Sequence, residues 1–235
     1  MRTTKLKTWV LLRGLAREHR HWEDFPGELQ RHFPGSLVYT PDLPGNGKHA
    51  GITSPASIRD MLLFLREDIA SVISRGPVHI IGLSMGGMLA IEWMNSFPEE
   101  CAAGILINTS LKGISPHYHR LRPRNYHRLL YALFTRNTYA REKAILQMTS
   151  SLHPHPESLL QRWVSYAEEN TVSPLNMSRQ LIAASRYPVP KLKPNVPILL
   201  LSSQNDKLVN PKCSASLAQD WNLPSATHPL AGHDI

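Results

Sequence analysis

The chain has 235 residues, a formal net charge of +8 and two cysteines. That length can bury a core without disulfides or metals, and Cys101 and Cys213 form neither a CxxC pair nor a Cys/His cluster of metal-ligand spacing. A disulfide scaffold and a structural metal site are therefore excluded as expectations, and the apolar stretch Trp9–Leu12 after the basic N-terminus is too short for a secretion signal.

Short apolar runs alternate with longer amphipathic ones, the order of an α/β protein with helices on both faces of a mostly parallel sheet. Thr8–Leu12 and Ser36–Thr40 read as the first two strands. Val78–Gly82, apolar apart from His79, reads as a central strand buried on both faces. Ala103–Asn108 and Pro197–Ser202 follow, and a weak strand precedes His228, so about six strands are predicted. Ser54-Pro55 is the predicted start of a helix running to about Ser74, with Ile58, Met61, Leu62, Leu65 and Ile69 on one face. Met85–Ser96 is the next helix, stopped by Pro98. From Leu111 to Tyr187 no strand is legible, and helices are predicted at Tyr126–Phe134, Tyr139–Thr149, Pro156–Glu169 and Pro174–Ser185. Residues 1–110 and 188–235 thus form a core, and 111–187 an all-helical cap inserted into it. No apolar stretch approaches the roughly 20 residues needed to span a membrane, and a cytoplasmic protein is expected.

Gly82-Leu83-Ser84-Met85-Gly86 lies between a predicted strand and a predicted helix, the context of a G-x-S-x-G nucleophile elbow. The glycines allow a sharp reversal, the serine is held in a strained conformation, and the helix N-terminus directs N–H groups at the same spot. Pro41-Asp42-Leu43-Pro44-Gly45-Asn46-Gly47, Leu11-Leu12-Arg13-Gly14-Leu15 and Ala231-Gly232-His233-Asp234 accompany it in order. On these motifs the chain resembles the α/β-hydrolase superfamily over nearly its whole length.

The resemblance implies an α/β-hydrolase fold and a triad of Ser84 as nucleophile, His233 as base and Asp206, after the strand Pro197–Ser202, as the acid that orients the base. It implies an oxyanion hole made of the backbone N–H groups of Met85 and Leu15. His228 competes with His233 for the base, His233 being preferred because Gly232 permits a tight loop. Asp206 has a second reading as a turn cap in Gln204-Asn205-Asp206-Lys207, and Ser84 as a plain turn serine. Asp42 reads as an anchor of its own loop. No histidine spacing indicates a metal, and no cofactor is expected. Three departures from the family stand out. Arg13 replaces the usual histidine before Gly14, and the family's first two strands are missing. The chain also ends two residues after His233, which implies either a truncated sequence or a base tethered on one side only.

A serine nucleophile implies acyl transfer to water, from an ester or thioester, and argues against the haloalkane and epoxide branches of the family. Trp22, Leu83, Leu129 and Leu133 are the side chains assigned to substrate contact, and Leu130, Phe134, Ile145 and Met148 are further candidates. Between Leu111 and Ile145 stand eight basic side chains and one acidic one. Arginines suit carboxylates and phosphates, so this cap is expected either to meet an acyl-carrier-linked ester, in outline like the carrier-protein methyl ester esterases of biotin synthesis, or to be an ordinary solvated face. Nucleic acid is not an expected partner, since the basic segment has few interleaved aromatics. Two further readings are a lyase or synthase of the menaquinone-pathway type and a non-catalytic ligand-binding protein; the complete Ser, Asp and His set argues against the last.

Overall fold

The computed structural model describes residues 7–152 and 156–234. Residues 1–6, with the basic Arg2 and Lys5 of the N-terminus, and Ile235 lie outside them. Six strands, β1 (Thr8–Leu12), β2 (Leu37–Tyr39), β3 (Val78–Leu83), β4 (Cys101–Ile107), β5 (Ile198–Ser203) and β6 (Ser225–His228), form one sheet in the order β2-β1-β3-β4-β5-β6. Every neighbouring pair is parallel.

The apolar runs are continuous because both faces of the sheet are covered. In β1, Val10 and Leu12 enter the larger core cluster, whereas Trp9 and Leu11 enter the smaller one on the other side. The larger face is covered by α2 (Ile58–Asp68), α3 (Met85–Ser96) and α8 (Lys212–Trp221), and the smaller by α1 (Phe25–His32) with the short turn His19–Trp22. Helix α3 is buried along nearly its whole circumference, so it carries no amphipathic stripe.

The helix predicted from Ser54 begins later. Ser57 is its cap, accepting a hydrogen bond from the Asp60 N–H, and the helix breaks at Ile69, whose backbone (φ −112°, ψ 25°) leaves the helical region as its side chain turns into the core. Ser54 is wholly buried and serves tertiary structure instead: its hydroxyl donates to the Pro44 carbonyl and accepts from Gln180.

Between β4 and β5 the regular structure is helical among the described residues, with α4 (Tyr126–Phe134), α5 (Thr138–Thr149), α6 (Pro156–Glu169) and α7 (Pro174–Arg186) preceded by a single turn at His117–Arg120. Leu146, Leu159, Leu160 and Trp163 give these helices a small core of their own. The base of the insertion is stitched by the Lys112 N–H to the Tyr187 carbonyl (3.1 Å) and the Val189 N–H to the Lys112 carbonyl (2.8 Å). Among the described residues no helix is long and apolar enough to cross a membrane.

Candidate active site

Ser84 stands between β3 and α3 with φ 56° and ψ −115°, a conformation that non-glycine residues seldom adopt. Its surroundings hold it there. The Ser84 N–H donates to the Ile107 carbonyl at 2.8 Å, while the Ser84 carbonyl accepts from the Thr109 hydroxyl at 2.8 Å and from the Gly87 N–H at 3.0 Å. A Cβ at Gly86 would be driven into the Leu12 carbonyl oxygen, so glycine there lets the first turn of α3 lie directly on the end of β1. Strain at one residue is thus maintained by contacts from β1, β4 with the residues after it, and α3.

Asp206 follows β5 and His233 follows β6, both at the same strand-end edge as Ser84, where open parallel sheets place their ligands. His233 Nδ1 lies 2.7 Å from Asp206 Oδ2, and both side chains are almost wholly buried. The other carboxylate oxygen accepts the N–H groups of Leu208 (2.8 Å) and Val209 (2.9 Å). Asp206 thus caps its turn with one oxygen and meets the imidazole with the other. Burial pushes the His233 pKa down, yet the charge and hydrogen bond of Asp206, with a smaller contribution from Asp234, outweigh it and leave the imidazole above its ordinary value.

His228 is exposed, and its Nδ1 accepts the N–H groups of Leu230 (3.2 Å) and Ala231 (2.9 Å), so it shapes the loop that carries His233. Gly232 is needed for a different reason from the tight loop expected: a Cβ there would collide with the Thr149 carbonyl at the end of α5. Asn108, at φ 47°, completes the support. It donates to the His233 carbonyl at 2.8 Å and to Ser203 Oγ at 3.0 Å, and accepts the Ser203 N–H at 2.9 Å.

The loop after β1 lies against the elbow, a Cβ on Gly14 falling 3.3 Å from that of Ser84. Leu15 and Met85 both line the site, and neither N–H is engaged by another of the described residues. The next residue, Ala16 (φ 55°), donates its N–H to Gln180 Oε1 at 2.8 Å. Gln180 of α7 is fully buried and donates in turn to Asn46 Oδ1 (2.8 Å) and Ser54 Oγ (2.9 Å), while Asn176 of the same helix accepts the Ser54 N–H at 2.9 Å. One cap helix thereby fixes the loop after β1 and the loop after β2 together. Asp42 stabilises the second of these, accepting the N–H groups of His19 (2.7 Å) and Lys48 (3.0 Å).

Ser84, Met85, Leu15 and His233 line one cavity of about 480 Å³, roofed by the cap. No hydrogen bond joins Ser84 Oγ to His233 among the described residues, and Nε2 is the imidazole nitrogen left available to it. Of the side chains assigned to substrate contact, Leu83 and Leu129 line the cavity, as do Ile145 and Met148. Trp22 and Leu133 lie outside the lining. Trp22 packs behind it, under the guanidinium of Arg13 at 5.0 Å and against Phe25, because the turn His19–Trp22 directs its indole into the smaller core face. Leu130 and Phe134 are on the exposed side of α4. The sequence reading did not identify Met177 and Leu181 of α7, or the charged pair Arg13 and Arg17, all of which reach the cavity wall. The sequence placed a helix at Pro174–Ser185 without singling out the residues of its inner face.

A family model described as "Alpha/beta hydrolase family" matches residues 9–235. A 2-hydroxy-6-oxononadienedioate/2-hydroxy-6-oxononatrienedioate hydrolase of Burkholderia vietnamiensis (strain G4 / LMG 22486) is 26% identical over 227 residues, covering 92% of this chain and 76% of that protein. Among solved structures, the enol-lactonase of Burkholderia xenovorans LB400 has the same fold, with a TM-score of 0.75 at 18% identity over 100% of this chain and 86% of its own. A thermophilic esterase of Thermogutta terrifontis matches with a TM-score of 0.74 at 20% identity over 97% and 83%.

Proposed function

The chain belongs to the alpha/beta hydrolase family, and from that premise we propose that it is a serine hydrolase cleaving a carboxylic ester or thioester through Ser84, His233 and Asp206. The observation that carries this reading is the buried Asp206–His233 pair opening onto the same cavity as a serine held at positive φ.

The chemistry follows from those groups. His233 Nε2 removes the Ser84 hydroxyl proton as Oγ attacks the acyl carbon. The imidazolium so formed is stabilised by Asp206, which also fixes Nδ1–H and hence the tautomer. Charge on the tetrahedral oxygen is received by the N–H groups of Met85 and Leu15, a type of contact worth about 3 kcal/mol each in transition-state stabilisation. His233 then returns the proton to the departing alcohol or thiol, leaving an acyl-Ser84 ester. Water, deprotonated by the same nitrogen, cleaves that ester and releases the acid.

The cavity's apolar wall, including Leu129, Ile145, Met148 and Met177, suits a short or medium acyl chain. The Burkholderia relative is named for an oxo acid, and a ketone carbonyl would engage the same nucleophile and N–H donors. A fluorophosphonate probe tests the reading. Labelling of Ser84 in the wild type and its loss in both Ser84→Ala and His233→Ala is the expected result; equal labelling of Ser84→Ala, or none in the wild type, overturns it.

A further inference from the structure

The loop that carries the base and the loop that carries the Leu15 N–H are tied to each other by a contact that takes no part in proton transfer. Arg13, two residues before Leu15, donates from Nη2 to Asp234 Oδ1 at 2.8 Å, and Asp234 directly follows His233. Both side chains are largely buried, with exposures of 7% and 17%. The arginine end is held firmly: its guanidinium lies over the Trp22 ring at 5.0 Å, and its carbonyl oxygen lies 2.9 Å from where a Cβ on Gly86 would stand, so its backbone abuts the elbow. At the aspartate end, the Asp234 N–H donates to the Thr149 carbonyl at 3.0 Å, and the His233 carbonyl accepts from Asn108 at 2.8 Å. Burial raises the Asp234 pKa, yet the charges of Arg13, His233 and Arg17 outweigh it and hold the carboxyl below its ordinary value, so it meets Arg13 as an anion.

A second pair closes a triangle. Arg17, from the same loop as Arg13, donates from Nη1 to Glu142 Oε2 of α5 at 2.6 Å, and α5 ends at Thr149, which receives the Asp234 N–H. The loop after β1, the loop after β6 and α5 are therefore joined pairwise. Between the two anchor points on α5 stand Ile145 and Met148, which line the cavity. The neighbouring ion pairs have a different reach. Arg20 with Glu18 and Glu169, and Arg162 with Glu23, connect the turn His19–Trp22 and its flanks to α6 and leave the base loop untouched.

In a buried ion pair desolvation offsets much of the attraction, so the contact supplies direction more than stability. Catalytic geometry is more exacting, since a displacement of about 1 Å can cost about 10²-fold in rate. We infer that Arg13 and Asp234 are positioning residues, whose ion pair holds the Leu15 N–H and the His233 imidazole in one register, with α5 bracing both loops beside the acyl-chain wall. The inference rests on the serine hydrolase reading for what that register does, and not for the link itself.

The test measures kcat and KM for an aryl butyrate in Arg13→Gln, Asp234→Asn, their double variant and Arg13→Lys, with the folded fraction of each read from denaturant unfolding. Each neutral single variant is expected to lower kcat per folded molecule by about 10- to 100-fold, with KM within about threefold. The double variant is expected to fall no further than the worse single one, because both substitutions remove the same link. Arg13→Lys, which keeps a cation opposite Asp234, is expected to recover part of kcat. A part confined to folding would lower the folded fraction and leave kcat per folded molecule unchanged, and that result overturns the inference, as do losses that multiply. If a single variant fails to fold because it strands a buried charge, the double variant, which strands none, decides by its own kcat. Hydrogen exchange separates the link from the reaction. Arg13→Gln is expected to speed exchange of the amides of residues 232–234, and Asp234→Asn that of residues 15–17, each by about tenfold. Faster exchange only in the loop that carries the substitution overturns the inference whatever Ser84 does. Faster exchange across both loops, with no fluorophosphonate labelling of the wild type, supports the link and overturns the serine reading alone.

Discussion

The two walls of the cavity are built differently. On the sheet side, Ser84, Asp206 and His233 are fixed by backbone hydrogen bonds and by buried Asn108, Thr109 and Asp206, so that small displacements break several contacts at once. On the cap side, Leu129, Ile145 and Met148 present apolar surface from helices with a small separate core. The arginines divide in the same way. The cap supplies most of the charge excess, yet Arg124, Arg128 and Arg136 are exposed, and Arg120 is spent on the carbonyls of Ala184 and Ser185. Arg13 and Arg17, which line the cavity nearly wholly buried, come from the loop after β1. A charge has strong consequences where water is excluded and weak ones where it is not.

Substitutions of decreasing severity test this contrast. Ser84→Ala is expected to reduce kcat by about 10⁵-fold or more while the protein remains folded, measured with an aryl ester. Asp206→Asn is expected to cost roughly 10³–10⁴-fold and to move the pH profile. His233 must be neutral to accept a proton, and its pKa lies above the ordinary value near 6.5; the rising limb of kcat/KM against pH therefore centres above that value in the wild type. Without the carboxylate, burial dominates, and the limb should move to lower pH. A limb that stays in place would remove Asp206 from the relay.

Next in size is Gln180→Ala, which removes the side chain that ties α7 to two core loops and strands the Ala16 N–H. Denaturant unfolding is expected to show a loss of about 1–3 kcal/mol, with a fall in kcat from the displaced Leu15 N–H. Leu129→Ala enlarges the cap wall without touching the triad, and a panel of aryl esters should shift its optimum toward longer acyl chains by about threefold in relative kcat/KM. The smallest effect belongs to the double variant Arg128→Glu with Arg136→Glu. Stability should change by less than about 0.5 kcal/mol, and turnover of small esters by less than twofold. A carrier-protein-linked ester would respond far more and would lose rate as salt rises; equal rates at two salt concentrations would dismiss a charged carrier and sharpen the division between the two sets of arginines.

The amino-acid order by itself determined what depends on short-range pattern. The inner apolar runs became strands because both faces of a parallel sheet are buried there, while the edge strands β2 and β6 are partly or wholly exposed, and the four cap helices fell where helical spacing put them, with ends displaced by at most one residue. The elbow was legible because only glycine tolerates the approach at position 86, and the histidine loop because Gly232 and His233 adjoin. Only the tertiary structure decided what joins residues distant in sequence. Arg13 and Asp234 are 221 positions apart, Asn108 and His233 are 125, and Gln180 reaches Ala16 across 164. None of these side chains has a local spacing that reveals its partner. Burial in a shared wall gives them their effect, by withholding the water that would otherwise satisfy each one alone.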